Sequence, residues 1–223
     1  MQQASPIGVL LIGPTGAGKT PLGESLATQQ CGYWRFHHFD FGQHLRNIAS
    51  GLDSRCLFDE SERQLIREIL SSGRLLEDEE FFIADRLLRS FLSQLPKELH
   101  RTDVVVLNGL PRNVFQAQCV DRVKVISVVV TLECDQNVVF QRIRSNVGGD
   151  RIGRCDDRFD LIVKRSATYE SETRPVRDYY KARGVPTFQL LVTASTTPKE
   201  LCCSFLDHWD KLFGNKLPAK PVS

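Results

Sequence analysis

The sequence contains no long apolar run and no strong excess of either charge. None of its apolar stretches approaches the ~18 residues that a membrane-spanning helix requires. The 29 Lys and Arg against 27 Asp and Glu leave a formal net charge of +2, which is not the electrostatic footprint of a nucleic-acid-binding protein. We therefore expect neither a membrane nor a nucleic acid among its partners, and we expect positive charge to matter only where arginines converge.

Cysteine patterning excludes further classes of protein. The seven cysteines are odd in number, and none belongs to a C-x-x-C pair, so the sequence indicates neither a disulfide framework nor a four-thiolate zinc site. The first five residues lack the basic and apolar regions of a signal peptide. These features predict a reduced, cytoplasmic protein, and its 223 residues suffice for one α/β domain with a substantial core.

A phosphate-binding motif stands near the start of the chain. Ile7 to Ile12 carries five apolar residues in six and leads into Gly-x-x-Gly-x-Gly-Lys-Thr, which satisfies the Walker A pattern. Glycines let successive N–H groups face phosphate oxygens at a helix N-terminus. Lys19 supplies a mobile charge for the β- and γ-phosphates, and the Thr20 hydroxyl can reach Mg²⁺. A Gly-rich turn without a ligand is the alternative, but the complete pattern after a strand favours ATP binding. The predicted ATP-binding residues of this loop are Gly13, Gly16, Ala17, Gly18, Lys19 and Thr20.

The rest of the chain alternates between strand and helix patterns. Continuous apolar runs such as 104–107 predict strands buried on both faces, as parallel sheets require, and helical spacing of apolar residues in 77–95 predicts an amphipathic helix. The alternation predicts an α/β fold with a doubly wound, five-stranded parallel sheet flanked by helices. The predicted strands are 7–12, 34–39, 104–107, 123–132 and 187–192, and the predicted helices are 21–30, 41–50, 59–70, 77–95, 113–121, 136–144, 156–183 (with a possible kink at Pro175) and 198–213. Asp135 and Thr197 are the predicted N-caps of two of these helices.

A second group of motifs begins directly after the 104–107 strand, with Asn108-Gly109-Leu110-Pro111-Arg112 followed by Gln116-Ala117. Here the sequence resembles the adenylate kinase family of nucleoside monophosphate kinases, whose fingerprint reads Asp-Gly-Phe/Tyr-Pro-Arg-x-x-x-Gln-Ala. The resemblance covers most of the chain. Three further segments match in order: 41–46 stands at the family's Thr-Gly-Asp-x-Leu-Arg, 72–76 at its Gly-x-Leu-Val, and 153–157 with Arg165 at its Gly-Arg-x-Asp-Asp and following arginine.

The resemblance implies a P-loop NTPase-like fold in which residues 1–223 form a single nucleoside monophosphate kinase domain. Its implied parts are a core of 1–39, 96–145 and 158–213, a helical NMP-binding insertion at about 40–95, a short lid at about 146–157 and a frayed tail at 214–223. The lid has only Cys155, so the zinc-bearing long lid of some family members is not expected.

The resemblance also implies roles for individual residues. Arginine suits these roles because its planar fork binds phosphate through two hydrogen bonds and keeps its charge. Lys19, Arg112, Arg154 and Arg165 are the implied catalytic residues, the last two closing over the transferring phosphoryl group. The implied NMP-binding residues are Phe41, Gly42, Arg46, Gly109, Arg112 and Gln116, and Arg142 lies where an arginine of the family stacks on the adenine of ATP, although it could simply be exposed. Thr20 is the implied Mg²⁺ ligand, with Asn108 acting through a water, while Asp157 could anchor lid closure or lie near the metal.

Several positions depart from the family pattern. Asn108 replaces an aspartate that helps to organise the magnesium shell, and Phe41 replaces the threonine that meets the adenine of AMP. Asn146 stands where the family has its second lid arginine, for which Arg144 and Arg151 are candidate substitutes. Asn113 is a feature of uridylate/cytidylate kinases. These departures leave the acceptor base open.

The sequence as a whole predicts a Mg²⁺-dependent, monomeric kinase that transfers phosphate from ATP to a nucleoside monophosphate. AMP is the expected acceptor, because Gln116 can pair with a purine edge. The alternatives are a UMP/CMP kinase, a nucleotide-binding module with impaired turnover, and a P-loop kinase of a small metabolite. No general base and no covalent enzyme intermediate are expected in the phosphate-acceptor interpretations.

Overall fold

The computed structural model of the protein describes residues 6–29, 31–53, 55–96, 98–150 and 159–214 and has a five-stranded sheet at its centre. The strands are β1 (Ile7–Ile12), β2 (Arg35–Asp40), β3 (Asp103–Asn108), β4 (Val128–Glu133) and β5 (Thr187–Leu191). They lie in the order β2-β3-β1-β4-β5, and every neighbouring pair is parallel. The predicted doubly wound parallel sheet is therefore confirmed.

Helices connect these strands. They are α1 (Lys19–Thr28), α2 (Phe41–Ala49), α3 (Glu60–Ser72), α4 (Phe81–Ser93), α5 (Val114–Asp121), α6 (Gln136–Ser145), α7 (Phe159–Thr168), α8 (Arg174–Ala182) and α9 (Pro198–Phe213). Within the described ranges, none of the helices has the length and apolar character needed to cross a membrane.

The two predicted helix N-caps are both confirmed. The Asp135 carboxylate accepts a hydrogen bond from the Val138 N–H at 2.8 Å. Thr197 forms a capping box with Glu200, and Pro198 occupies the first turn of α9, where its missing N–H costs little. The starts of α6 and α9 could be predicted from local sequence alone, because each cap involves residues within three positions of one another.

The strand predicted over 123–132 is wrong at its N-terminal end. β4 begins at Val128, which lies beside Val9 of β1. Residues 123–127 form the connection that leads into this strand, and in it Val125 is 66% exposed while Ile126 is buried. The apolar composition of this connection, rather than strand pairing, made 123–127 look like part of the strand.

The helix predicted over 156–183, with a possible kink at Pro175, is interrupted just before that proline, and its residues 156–158 lie outside the described residues. After α7 the chain forms a π-helical turn over Tyr169–Thr173 and then continues as α8. The Arg174 N–H bonds to the carbonyl of Tyr169, five residues back. Pro175 at the start of α8 has no N–H, and its ring crowds the preceding turn, so a widened turn just before it accommodates the proline.

The two faces of the sheet are covered by different helices. Leu22 of α1 and Phe205 of α9 belong to the core on one face. Leu45 of α2, Leu87 of α4 and Tyr180 of α8 belong to the core on the other. Because helices cover both faces, ligands of a doubly wound sheet bind at the carboxyl ends of its strands.

Helices α2, α3 and α4 all lie between β2 and β3 in the chain. They occupy the range in which an NMP-binding insertion is predicted, and that role stays a prediction. Of the predicted lid at 146–157, the structure describes only 146–150.

A buried carboxylate links β2 and β3 at the N-terminal ends of these two strands. Asp103 is fully buried and accepts hydrogen bonds from the Arg35 guanidinium at 2.6 Å and the His100 N–H at 2.6 Å. One nitrogen of the His37 ring lies 2.8 Å from its other oxygen. Burial would raise the pKa of Asp103, but these hydrogen bonds and the charge of Arg35 outweigh it and hold the pKa below its ordinary value.

Asp103→Asn should lower the free energy of unfolding at pH 7 by about 1–3 kcal/mol, because the donors around this buried position lose a charged acceptor. A depressed carboxylate pKa stabilises the fold above the unfolded-state pKa, so this contribution should fade as the pH falls through and below 3.8, the ordinary value. Urea unfolding at several pH values measures both effects. Asp85→Asn, which removes an exposed pair with Arg89 on α4, is the matched control. Equal stability of parent and Asp103→Asn at pH 7 would contradict the expectation.

Candidate active site

A cavity opens at the edge of the sheet where β1, β2 and β3 end side by side. Its walls come from the loop after β1, the start of α2, the end of α3 and the segment after it, the segment after β3, and α7. Of the residues predicted for the site, the cavity brings together Gly13, Gly16, Gly18, Lys19, Thr20, Phe41, Gly42, Arg46, Asn108, Gly109, Arg112, Gln116 and Arg165. Ala17 is buried beneath the loop, and Arg154 and Asp157 lie outside the described residues.

The loop between β1 and α1 requires glycine at two positions. Gly16 and Gly18 have φ values of 88° and 99°, in the left-handed region that other residues rarely adopt. A Cβ on Gly16 would also lie 2.8 Å from the Ile143 side chain. Among the described residues, no side chain caps the start of α1 at Gly18. The N–H groups of a helix's first turn, when they are not capped, can bind an anion.

Lys19 is the first residue of α1 and folds back over the loop. Its ammonium group donates to the carbonyl oxygens of Gly13 at 2.5 Å and Pro14 at 2.7 Å. The side chain therefore holds a positive charge at the mouth of the loop, where a bound phosphate would lie.

Arg112 is the second positive group of the cavity. Its backbone is fixed from two directions, because its N–H donates to Gln116 Oε1 at 2.9 Å and its carbonyl accepts from Thr173 Oγ1 at 2.8 Å. Burial, assisted by the nearby charge of Arg165, lowers the pKa of Arg112 to about 10. No carboxylate in the described part of the chain forms an ion pair with its guanidinium. A desolvated cation beside a second cation is an arrangement that an anionic ligand would stabilise.

Two further arginines line the same cavity. Arg165 of α7 passes over Gly73, where a Cβ would lie 3.6 Å from its Nε atom. Arg46 of α2 reaches back toward the start of its helix and donates to Gln43 Oε1 at 2.9 Å. Arg46, Arg112 and Arg165 thus converge from three separate elements.

Asp40 is a carboxylate of the site that the sequence analysis missed. It ends β2, and its Oδ1 accepts from the Gln43 N–H at 2.8 Å, which caps α2. Its Oδ2 accepts from Thr20 Oγ1 at 2.5 Å and from Asn108 Nδ2 at 2.9 Å. Burial would raise the pKa of Asp40, but the hydrogen bonds from Thr20 and Gln43, with the nearby charges, hold it below its ordinary value.

The sequence relatives agree with this geometry. An adenylate kinase of Synechococcus sp. (strain WH7803) is 31% identical over 182 residues, which is 79% of this chain and 86% of the relative. The chain belongs to the adenylate kinase family. An adenylate kinase of Caulobacter vibrioides (strain NA1000 / CB15N) is 29% identical over 184 residues and covers 79% and 84% of the two chains. The profile of a family described as an AAA domain matches residues 9–157. The protein is thus a P-loop kinase, a transferase that binds ATP.

A solved structure supports the same fold. The crystal structure of a gluconokinase from Sinorhizobium meliloti 1021 superposes with a TM-score of 0.53 and covers 94% of this chain and 95% of its own. At 19% identity, this likeness shows the P-loop kinase architecture and not the substrate.

Arg142 lies behind the ATP-binding loop. Its guanidinium donates to the carbonyl oxygens of Gly16 at 3.1 Å, Thr193 at 2.8 Å and Thr196 at 2.7 Å. The side chain is 4% exposed, so the alternative of a solvated surface arginine is wrong. A contact with the adenine of ATP stays a prediction, and the bonds seen here tie the loop to the chain after β5.

Gln116 and Phe41, two of the residues predicted to bind the nucleoside monophosphate, are both almost completely buried. Gln116 is 3% exposed, and its Oε1 is already engaged by the Arg112 N–H. Only its Nε2, which has no hydrogen-bond partner among the described residues, is left to donate to a ligand. Phe41 is 5% exposed and packs against Phe39, so its ring is mainly a core residue at the cavity wall.

The oxygen atoms near Thr20 fit a magnesium ion. A hydroxyl and a carboxylate oxygen are hard ligands, and Mg²⁺ usually takes one or two protein oxygens and fills its octahedron with waters and substrate phosphates. The described residues contain no cluster of three or more His, Cys, Asp or Glu that could hold a metal by itself. The hydroxyl of Thr20 and the nearby carboxylate of Asp40 suit a metal that arrives with ATP.

The position of Asp40 in the sequence could have indicated that it belongs to the site. It directly follows the strand predicted over 34–39, and polar side chains at the ends of parallel strands gather at the ligand edge of a sheet. It also immediately precedes the segment 41–46 that carries the family motif. Its partners are remote in sequence, because Thr20 is 20 residues away and Asn108 is 68.

Lys19→Ala should abolish phosphoryl transfer while leaving the fold intact. Removing a charge that stabilises the transition state lowers kcat and kcat/KM together, here by an expected ~10²-fold or more. Steady-state kinetics and circular dichroism measure the two properties. Lys199→Ala, an exposed lysine in the first turn of α9, is the control. Near-normal turnover of Lys19→Ala would mean that this loop does not hold the transferred phosphate.

Proposed function

We propose that the protein transfers the γ-phosphate of Mg-ATP to a nucleoside monophosphate, with AMP as the preferred acceptor and two ADP as products. The observation that carries the proposal is the half-buried Arg112, which has no ion-pair partner among the described carboxylates and lies with Arg165 in the wall of the cavity at the ATP loop. An acceptor that brings its own phosphate supplies the missing anion. An uncharged acceptor would leave this charge uncompensated.

In the proposed reaction the chain positions two anions and neutralises their charge. The loop N–H groups and Lys19 hold the β- and γ-phosphates of ATP, while Arg46 and Arg112 hold the acceptor phosphate. An oxygen of the acceptor phosphate attacks the γ-phosphorus, and the bond from that phosphorus to the β–γ bridging oxygen breaks, leaving its electron pair on ADP. Arg165, with Arg154 from the predicted lid, stabilises the charge on the transferring group.

Proton transfer by the enzyme is unnecessary in this scheme. The acceptor phosphate is already ionised, so no general base is required. Magnesium, held by Thr20 on the protein side, supplies charge neutralisation of the ATP phosphates when it is bound. We propose that the protein acts as a monomer.

Three observations favour AMP over a pyrimidine nucleotide. The relatives reported above carry the name adenylate kinase. Gln116 Nε2 offers a hydrogen-bond donor to the ring nitrogen of a purine edge. Asn113, the residue that suggested a UMP/CMP kinase, caps α5 by accepting from the Gln116 N–H at 2.8 Å, so helix capping accounts for it without any role in base recognition.

A small-metabolite kinase is the second candidate, because Asp40 places a carboxylate at the cavity. A hydroxyl acceptor needs a base to take its proton. Both Asp40 oxygens already accept hydrogen bonds from Thr20, Asn108 and Gln43, which leaves this carboxylate poorly suited to that task. In such a kinase, Arg46 and Arg112 would have no acceptor phosphate to hold.

Diphosphate formation from Mg-ATP with AMP, UMP, CMP or gluconate, each assayed separately, tests the proposal. We expect kcat/KM for AMP to exceed that for either pyrimidine by ~10-fold or more, with no transfer to gluconate. A pyrimidine that wins by the same factor would reassign the acceptor. Transfer only to gluconate would contradict a phosphate acceptor, and no transfer to any of the four would indicate a nucleotide-binding module.

Arg112→Lys provides the matched variant in this assay. Lysine keeps the charge but loses the two-pronged hydrogen bond to phosphate. We expect kcat/KM for AMP to fall by ~10-fold or more, with little change in KM for ATP. Arg89→Lys, on the exposed surface of α4, should match the parent.

A further inference from the structure

Three polar side chains meet where α1, β2 and β3 approach one another. Asp40 and Asn108 are the last residues of β2 and β3 and are paired in register. Thr20 lies opposite them in the first turn of α1. Thr20 Oγ1 donates to Asp40 Oδ2 at 2.5 Å, and Asn108 Nδ2 lies 2.9 Å from the same Asp40 oxygen and 3.0 Å from Thr20 Oγ1.

The direction of the first bond matters for metal binding. A hydroxyl can ligate a cation only through a lone pair, so its proton must point elsewhere. Asp40 accepts that proton and thereby orients the Thr20 oxygen. A carboxylate that is hydrogen-bonded to a metal ligand typically makes the ligand more basic and fixes its geometry.

Asn108 is explained by the same cluster. An aspartate at this position would place a second carboxylate about as close to Asp40 as the present amide, which is 2.9 Å away. Two carboxylates at that distance cannot both stay ionised. The amide instead donates to Asp40. The cluster therefore has one negative charge, and it lies at the end of β2 rather than at the end of β3.

We propose that Asp40 is a positioning residue for the magnesium of Mg-ATP, supplying through Thr20 and the metal-bound waters the negative charge that Asn108 lacks. The inference rests on ATP binding at this loop and is independent of which acceptor the enzyme uses. It also assigns to Asp40, rather than to Asn108, the main role in orienting the metal ligand Thr20.

The test measures metal binding without any acceptor and without turnover. Mn²⁺ is titrated into the full-length protein with saturating non-hydrolysable ATP analogue, and free Mn²⁺ is followed by electron paramagnetic resonance. The affinity of the same analogue without metal is measured by calorimetry. The variants are Asp40→Asn, which keeps an oxygen that can cap α2, and the exchange Asp40→Asn/Asn108→Asp, which moves the carboxylate one strand over.

Asp59→Asn is the matched control. Asp59 caps α3 as Asp40 caps α2, through its carboxylate and the N–H of Glu62, but it is not part of the cavity wall. Its substitution should change neither affinity.

We expect Asp40→Asn to weaken Mn²⁺ binding to the nucleotide complex by ~10–100-fold. Binding of the metal-free analogue should be unchanged or tighter, because a negative charge near the phosphates is removed. The exchange variant should recover most of the Mn²⁺ affinity, which a purely structural role of Asp40 could not explain.

Three outcomes would overturn the inference. Unchanged Mn²⁺ affinity in Asp40→Asn would show that Asp40 does not act on the metal. An equal loss of affinity for the ATP analogue with and without metal would show that Asp40 serves only as a helix cap. A folded exchange variant, verified by circular dichroism, that recovers no Mn²⁺ affinity would show that the charge itself is not what matters. Failure of AMP phosphorylation in the acceptor assay leaves all these readings intact, so the two proposals can fail separately.

Discussion

The half-buried guanidinium of Arg112 lies in the cavity wall without an ion-pair partner among the described carboxylates. Hydrogen bonds with Gln116 and Thr173 hold its backbone in place at the cavity wall. Arg165 adds a second positive charge beside it. The arrangement is unfavourable until a phosphate binds, and the free energy that the ligand recovers is available for binding and for positioning it against ATP. Charge that the fold leaves uncompensated is thus the physical basis of the proposed acceptor site.

Sheet topology explains why the ATP loop and the proposed acceptor site lie side by side. β1 lies next to β3, with Leu11 beside Asn108, so the ATP loop and the Gly109–Arg112 segment leave the sheet side by side. β2 lies on the other side of β3 and ends at Asp40, opposite Asn108. The strand order therefore places the ATP loop, the segment that carries Arg112 and the carboxylate of Asp40 at three neighbouring strand ends. The arginines from α2 and α7 complete a site that no single segment of the chain could form.

Local features of the fold could be predicted, and features that depend on distant partners could not. The caps at Asp135 and Thr197 were predictable because each involves residues within one helical turn. The N-terminal end of β4 was not, since the connection before Val128 is apolar too and only pairing with β1 defines the strand. Pro175 predicted a kink in its helix, but the sequence did not show that the irregularity is a π-helical turn over Tyr169–Thr173. In the site, the motif residues were predictable from the family resemblance. Asp40 was missed because it stands outside the motif and acts through Thr20 and Asn108, whose proximity only the folded sheet reveals.

Binding of a bisubstrate dinucleotide, two adenosines joined by five phosphates, tests most directly whether the loop and the arginines form two adjoining phosphate sites. Isothermal titration calorimetry compares its affinity with that of ATP under the same conditions. The account predicts one molecule per chain, bound ~10²-fold or more tightly than ATP, because the second half binds as an intramolecular event. In the Arg112→Lys variant most of that advantage should disappear while ATP affinity stays the same. A dinucleotide that binds no more tightly than ATP, or whose advantage survives in Arg112→Lys, would contradict the account.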